Sequence, residues 1–313
     1  IKNNSIKREE LYFLLPEKLK NSVINSSISK ENNKDIFNKI DKLLDGKKVN
    51  IIIGGPPCQA YSLIGRAAHK KKMIGDERNY LYVQYAEFLK RYKPKMFVFE
   101  NVIGLLSAKE PSGEKYLDKM LALFKEVGYE TEHEILNAKD FGVLQNRKRV
   151  ILIGRRGRKK DFYPKFEKLQ TNVFVEEIFK GLPKLQAGEG CNFATNYTNE
   201  ISDYLIENKI QNGFDFTTQH IARPNIDRDK EIYREAVLKW NNERKRLNYN
   251  ELEERLKNHK NRRSFVDRFK VVAANEKACH TVVAHIAKDG HYYIHPDINQ
   301  NRSITPREAA RLQ

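Results

Sequence analysis

Cysteine is scarce in this 313-residue sequence: Cys58, Cys191 and Cys279 lie far apart and form no CxxC pair. Three dispersed cysteines cannot build a disulfide framework or, by themselves, a thiolate zinc site, so each is weighed as a single thiol. Long apolar runs are also missing, because no stretch approaches the roughly 18 apolar residues of a membrane span, and the N-terminal residues are too polar for a signal peptide. The sequence therefore predicts an intracellular protein without a membrane partner.

Acidic residues are outnumbered, since 58 Lys and Arg stand against 41 Asp and Glu and leave a formal charge of +17. This surplus favours a polyanionic partner, either nucleic acid or an acidic membrane surface. Hydrophobic residues make up 40% of the sequence, which is enough apolar surface to offset the entropy lost on folding. The length predicts about two domains.

The first half of the sequence alternates short apolar runs with helical patterns. Residues 49–53 and 96–99 form two such runs, and a helical pattern covers residues 81–92 between them. This order is typical of parallel strands joined by a crossover helix. Farther along, residues 129–136 and 149–154 are predicted to pair as a hairpin at the end of the same sheet.

The pattern changes near residue 160, where we expect a domain boundary. A charged helical pattern covers residues 227–258, and Thr305-Pro306 begins a further helix at the end of the sequence. Four histidines between residues 280 and 295 could suggest a metal site. Their alternation around 282–283 and 292–294, with Asp-Gly between, instead favours a β-hairpin.

Three polar features lie where an open parallel sheet meets its ligands, beyond the carboxyl ends of strands. Cys58 follows the first run across the stiff segment 54–57, where glycines allow close backbone approach and prolines fix φ. Glu100 directly follows the second run, as either a helix cap or a functional acid. Arg147 and Arg149 would share one face if their segment is extended. A core cysteine has no use for a rigid turn, so Cys58 is the leading candidate for chemistry.

Four sequence blocks occur in a recognisable order and spacing: GGPPCQAYS at 54–62, ENV at 100–102, QNRKR at 145–149 and RSITPREAARLQ at 302–313. Together they resemble the C5-cytosine DNA methyltransferases. The resemblance implies an α/β fold, with a Rossmann-like S-adenosylmethionine-dependent methyltransferase sheet and a smaller, mixed target-recognition domain. It implies a catalytic domain at 1–160, a target-recognition domain at 161–300 and the start of a return segment at 301–313.

The resemblance also implies a mechanism. Cys58 matches the nucleophile whose thiolate adds to C6 of cytosine, so that C5 takes the methyl group before the C5 proton and the thiol leave. Glu100 matches the glutamate that hydrogen-bonds N3 and the exocyclic amine, and it must carry a proton to donate at N3. Arg149 matches the arginine that contacts O2 of the base. Arg147 is placed to steady the closed loop and the phosphate backbone.

Cofactor and DNA residues follow from the same resemblance. S-adenosylmethionine is the implied cofactor, and the residues that match its pocket are Asp35, Ile36, Pro57 and Leu81. Double-stranded DNA is the implied partner, and its target base must be flipped out of the stack. The residues that match DNA-contacting positions are Gln59, Ser62, Arg66 and Gln145. Residues 59–79 form the predicted lid, with Gly65 and Gly75 as hinges, and no metal is expected.

Two family blocks are not visible, the Gly-rich cofactor loop and the last C-terminal block, so we expect a truncated chain that binds S-adenosylmethionine weakly. The resemblance implies a bacterial modification methylase, cytoplasmic and nucleoid-associated when on DNA. A cognate restriction endonuclease is its expected companion, though not as a stable subunit. Three alternatives stay open: a tRNA cytosine-C5 methyltransferase, a catalytically silent DNA-binding subunit and a cysteine hydrolase.

Overall fold

The computed structural model describes residues 7–57, 77–157, 160–169, 171–211 and 213–313. They divide into two compact units. The first, here called the sheet unit, consists of Arg8–Asn137 and Lys148–Glu167. The second, the C-terminal unit, consists mainly of Ala138–Arg147 and Lys168–Gln313. The first unit is therefore built from two separate stretches of sequence, with Ala138–Arg147 assigned to the other unit.

A four-stranded sheet organises the sheet unit. Its strands are β1 (Ile51–Gly54), β2 (Met96–Val102), β3 (Tyr129–Asn137) and β5 (Lys148–Arg156), while β4 (Gln145–Asn146) belongs to the C-terminal unit. The strand order is β1-β2-β5-β3. β1 and β2 are parallel, and β5 is antiparallel to both β2 and β3. The predicted parallel pair and the predicted terminal hairpin are both confirmed.

Two helices of the sheet unit, at residues 81–92 and 116–126, pack their buried side chains into one core with the strands. The helices of the sheet unit are α1 (Arg8–Phe13), α2 (Glu17–Asn21), α3 (Asn33–Leu44), α4 (Leu81–Tyr92) and α5 (Tyr116–Glu126). α4 has the bounds that the pattern predicts, and its buried side chains Tyr82, Tyr85, Ala86 and Leu89 lie on one face. It ends at Lys93, whose φ of 46° is left-handed, directly before Pro94.

The C-terminal unit has little regular secondary structure. Its two-residue strands are β4, β6 (Gly190–Cys191), β7 (Thr195–Asn196), β8 (Phe216–Thr217), β9 (His220–Ile221) and β10 (Cys279–His280). They pair as β4 with β10, β6 with β9 and β7 with β8. Its helices are α6 (Asp203–Glu207), α7 (Asp227–Glu243), α8 (Arg262–Phe265) and α9 (Pro306–Arg311). α7 ends well before residue 258, whereas the helix predicted at Pro306 is confirmed.

The predicted hairpin between residues 282–283 and 292–294 is wrong. Within the described residues, β10 pairs in parallel with β4 instead, and Ala284–Ala287 form a 3₁₀ turn. Side chains bind the backbone groups that a ladder would need. The Val283 N–H donates to the Tyr293 hydroxyl at 2.9 Å, and the His280 ring hydrogen-bonds the Tyr292 carbonyl. No helix in the described part of the chain is long and apolar enough to cross a membrane.

Candidate active site at the ends of β1 and β2

The turn after β1 lies directly against Glu100, which is the fifth residue of β2 rather than the residue that follows the strand. Gly54 is opposite Phe99 in the parallel ladder, so Gly55 comes next to Glu100. A Cβ atom at Gly55 would lie 3.0 Å from Glu100 Oε2 and 3.4 Å from the Glu100 carbonyl oxygen. Glycine is therefore what lets this turn approach the carboxyl group so closely.

Asn101 joins the same turn to β2. Its side chain is buried, its Nδ2 lies 3.5 Å from the Pro56 carbonyl, and its Oδ1 accepts a hydrogen bond from the Val102 N–H at 2.9 Å. Sequence reasoning gave Asn101 no separate role. A signal was available, because Phe97, Phe99 and Asn101 occupy the buried positions of an alternating strand, where an amide needs a polar partner.

Arg149 approaches Glu100 from the neighbouring strand. β5 places Ile151 opposite Glu100 and Arg149 opposite Val102. The Arg149 Nε atom lies 2.6 Å from Glu100 Oε1, and Arg149 Nη1 donates to the Lys148 carbonyl at 2.9 Å. Arg149 is 17% exposed, while Glu100 is 41% exposed. The carboxyl group is thus fixed by a guanidinium on one side and by Gly55 on the other, and part of it stays open to a ligand.

The structure brings Glu100 and Arg149 together, but not all the predicted residues can be placed. Cys58 lies outside the described residues, and so do Gln59, Ser62 and Arg66 with most of the predicted lid. Arg147 is described. It interrupts the predicted extended segment, because β4 ends at Asn146 and β5 begins at Lys148. Arg147 also falls in the C-terminal unit, whereas Arg149 falls in the sheet unit.

The prediction that Gln145 contacts DNA needs correction. Gln145 is completely buried in the C-terminal unit. Its Nε2 donates to the Leu312 carbonyl at 3.0 Å, and its Oε1 accepts from the Val282 N–H at 3.0 Å. These bonds give the side chain a structural role, and they leave no exposed atom for DNA. The polar groups of Gln145 therefore serve the fold of the C-terminal unit.

Three of the four residues predicted for the cofactor lie at the starts of two connected helices. Asp35 and Ile36 are in the first turn of α3, and Leu81 begins α4. A 2.8 Å hydrogen bond from Asn33 Nδ2 to Gln84 Oε1 ties these helices together. Ile36 is buried, whereas Pro57 is exposed after β1. The Asp35 carboxylate is also exposed, and it forms an ion pair with Lys39 on the same helix.

The side chains of these four residues have the chemistry that suits a ligand with an apolar ring and N–H donors. Asp35 keeps an exposed acceptor that such donors need, and Ile36, Pro57 and Leu81 are apolar. An adenosyl group has both features. The chemistry of these side chains is thus compatible with the cofactor that the sequence implies.

Other nucleophiles and ligands give no competing centre in the described part of the chain. Cys279 is buried, and burial raises the pKa of its thiol to about 12, which suppresses the thiolate. The described residues contain no group of three or more His, Cys, Asp or Glu side chains that could hold a metal ion. His280 and His295 are instead packed within the C-terminal unit, where they bond to nearby backbone groups.

Comparison with known proteins identifies the family. The family model for C-5 cytosine-specific DNA methylases matches residues 18–313, so the chain belongs to that family. The type II methyltransferase M.Bpa9945I of Bacillus paralicheniformis is 44% identical over 85% of this chain and 62% of its own length. The type II methyltransferase M.DdeI of Desulfomicrobium norvegicum is 33% identical over the same shares, 85% and 62%. The chain thus spans 62% of the length of these relatives.

A solved structure supports the fold. It is that of a candidate DNA modification methyltransferase encoded within an E. coli prophage, and it matches with a TM-score of 0.54 at 21% identity. The match covers 93% of this chain and 73% of that one. The predicted α/β methyltransferase fold class is therefore confirmed.

Proposed function

We propose that this protein transfers a methyl group from S-adenosylmethionine to C5 of cytosine in double-stranded DNA. The observation that carries the proposal is the fixed pair of Glu100 and Arg149, with the turn toward Cys58 packed against the same carboxyl group. Family membership supplies the reaction class. The structure supports the proposal because Glu100 and Arg149 lie beside the turn that leads from β1 to Cys58.

The reaction proceeds by covalent addition. The Cys58 thiolate forms a bond to C6 of cytosine, and the C5–C6 π electrons move so that C5 becomes the nucleophile. S-adenosylmethionine, which Asp35, Ile36, Pro57 and Leu81 would hold, would supply an electrophilic methyl group to C5, and its sulfonium would become a neutral thioether. A base then removes the C5 proton, the C5–C6 double bond re-forms, and the thiolate leaves C6. Cys58 is therefore regenerated, and the products are 5-methylcytosine and one released proton.

Glu100 and Arg149 stabilise the cytosine through its polar edge. Glu100 pairs with Arg149 as a carboxylate before the base enters, so it must take up a proton to donate to N3. That hydrogen bond draws electron density from the ring and favours addition at C6. Arg149 donates to O2, and its planar fork keeps that donor in a fixed direction. The ion pair between them holds both side chains near their working positions before the base enters, which reduces the ordering cost of binding.

DNA binding draws on the charge of the chain. The net charge of +17 attracts the phosphate backbone, and the target base has to leave the stack because C6 is inaccessible within a duplex. Gln59, Ser62 and Arg66 are proposed to contact the flipped nucleotide and its phosphate, and Arg147 the backbone beside it. Residues 1–160 are proposed as catalytic and 161–300 as target-reading. The cofactor would be held by Asp35, Ile36, Pro57 and Leu81.

The names of the relatives suggest the biological system in which the protein acts. Both relatives above are type II methyltransferases, so we propose that a restriction endonuclease of the same specificity accompanies this protein without forming a stable subunit of it. The enzyme would then act in the bacterial cytoplasm, on the nucleoid.

Covalent trapping on DNA that contains 5-fluorocytosine tests the proposal. Fluorine replaces the departing C5 proton, so elimination is blocked and the adduct accumulates. The full gene product with S-adenosylmethionine should give an adduct that resists denaturing electrophoresis. Cys58→Ser should abolish it, the matched Cys191→Ser should retain it, and Glu100→Gln should slow its formation without weakening duplex binding.

The same assay separates the alternatives. Parallel reactions with radioactive S-adenosylmethionine compare DNA with tRNA as substrates. A DNA methyltransferase should label the DNA, whereas a tRNA methyltransferase should label the tRNA. Duplex binding without an adduct would indicate a silent DNA-binding subunit. An adduct that survives Cys58→Ser would contradict the proposed nucleophile.

A further inference from the structure

Tyr85 places a buried hydroxyl between the two strands that lead to the candidate site. Its Oη atom lies 3.2 Å from the Ile52 carbonyl of β1 and 3.0 Å from the Val98 carbonyl of β2. The single hydroxyl proton is donated to either carbonyl, and burial raises the pKa of the phenol, so it stays a donor. Tyr85 therefore joins β1 to β2 through a side chain, in addition to the ladder between them.

Of the two strands that Tyr85 joins, β1 makes few other contacts within the described residues. It is four residues long, and in the described part of the chain its ladder runs to β2 alone. Ile51 is 41% exposed and Ile53 is 72% exposed, so only Ile52 packs against the core of the sheet unit. A short strand with two exposed side chains depends strongly on each of its remaining contacts.

The Tyr85 ring also lies directly beneath the end of β1. A Cβ atom at Gly54 would be 2.6 Å from Tyr85 Cε2, so glycine is needed there for the ring to reach this place. The ring packs edge-on against Phe99, with centroids 5.3 Å apart. The next residue along each strand is Gly55 or Glu100, the two residues in contact at the candidate site. A continuous set of contacts thus runs from Tyr85 to the Glu100 carboxyl group.

We propose that Tyr85 is a positioning residue for the reaction, whose hydroxyl fixes the end of β1, and with it the turn toward Cys58, relative to Glu100. The inference rests on the proposed function. Covalent addition needs the thiol and the carboxyl group in a narrow range of positions, and a displacement of about 1 Å can cost on the order of 100-fold in rate. A hydroxyl that holds two strand ends together acts on that distance without touching the substrate.

The test compares Tyr85→Phe with Tyr129→Phe. Tyr129 is a matched control, because it is also buried in the core of the sheet unit and its hydroxyl donates to the Pro94 carbonyl at 2.7 Å, away from the candidate site. Each variant keeps its ring and loses one hydroxyl. Both should lower the melting temperature by similar amounts.

Methylation is measured well below the melting temperature of both variants. Only Tyr85→Phe should lower kcat, by about 10-fold, and its KM for DNA should stay unchanged. Hydrogen exchange gives a second, activity-independent measurement. The amides of residues 51–55 should exchange faster in Tyr85→Phe than in Tyr129→Phe. Equal kcat values and equal exchange in the two variants would overturn the inference. A full-length wild-type protein that methylates no cytosine, with faster exchange in Tyr85→Phe, would overturn the proposed function and support the structural link.

Discussion

Two arginine–carboxylate pairs in this protein have the same chemistry and opposite surroundings. Arg302 and Glu308, in the C-terminal unit, are 1% and 2% exposed and are joined by two hydrogen bonds of 2.7 and 2.8 Å. Arg149 and Glu100, in the sheet unit, are 17% and 41% exposed and are joined by one contact of 2.6 Å. The first pair is closed to any ligand, whereas the second keeps part of its carboxyl group available.

The difference shows that a structural ion pair uses all its hydrogen-bonding groups within the protein, whereas a functional pair keeps some of them available to a ligand. All five N–H donors of Arg302 are used, on Glu308 and on three further acceptors, Leu185 O, Gln300 Oε1 and Ser303 O. Glu308 also accepts from the Thr305 N–H at 2.7 Å, in the capping box that begins α9. Burial would raise the pKa of Glu308, but Arg302 outweighs it and lowers the pKa to about 2. Such a group stays charged and bound at any physiological pH.

Removing one partner of the buried pair should have the largest effect on stability. We expect Arg302→Met to lower the free energy of unfolding by about 3–5 kcal/mol, because Glu308 would remain as an unpaired buried charge. Urea unfolding followed by the fluorescence of Trp240, the single tryptophan and a residue of the C-terminal unit, measures this loss. Arg149→Met is the matched control and should cost less than about 1 kcal/mol. Because Arg149 lies in the sheet unit and Trp240 does not, its unfolding is followed by circular dichroism. Equal losses in the two variants would contradict the distinction between the pairs.

Acid should weaken the C-terminal unit through two buried histidines, each by less than the loss of Arg302. Burial lowers the pKa of His280 and of His295 to about 4, from an ordinary value near 6.5. Because both rings are neutral in the folded state, their contribution to stability is complete above pH 6.5 and is lost as the pH falls toward 4. Each should cost roughly 2 kcal/mol at pH 5. The urea midpoint of Trp240 fluorescence at pH 7 and pH 5 measures this. An unchanged midpoint would show that these rings are not buried as neutral groups.

The same contrast explains how much of the fold the sequence predicts. α4, the parallel pair of β1 and β2 and the hairpin of β3 and β5 follow from apolar periodicity, because neighbouring segments pack on one face of one sheet. The C-terminal unit depends on side-chain-to-backbone bonds between distant residues, such as Arg302 to Leu185 and Gln145 to Leu312. No local pattern reports such bonds, which is why the hairpin and the length of α7 were predicted wrongly.

The sequence predicts the site residues that belong to a recognisable sequence block. It does not predict residues whose role depends on their contacts in the folded protein. Glu100 and Arg149 come from sequence blocks, and the structure brings them together. Gln145 comes from the same block as Arg149, yet it is buried and serves the fold. Asn101 and Tyr85 were missed as individual residues, because the polar group of each acquires its role only when a neighbouring strand approaches it.

A third ion pair lies on the surface, and breaking it should have the smallest effect on stability. Variants of this pair can therefore separate an effect on cofactor binding from an effect on stability. Asp35 and Lys39 are 64% and 51% exposed and lie 2.6 Å apart at i and i+4 on α3. Breaking such a pair costs at most about 0.5 kcal/mol. Asp35→Asn and Lys39→Gln should therefore unfold almost as the wild-type protein does.

Binding should nevertheless distinguish the two variants. If Asp35 accepts hydrogen bonds from S-adenosylmethionine, Asp35→Asn in the full gene product should weaken cofactor binding by about 10-fold, the loss expected for about 1.4 kcal/mol of hydrogen bonding to a charged group. Lys39→Gln removes the same ion pair but no acceptor, so its affinity should stay within about twofold of the wild type. Calorimetric titration measures both. Equal weakening in the two variants would mean that the ion pair orders α3, whereas no weakening in either would remove Asp35 from the cofactor site.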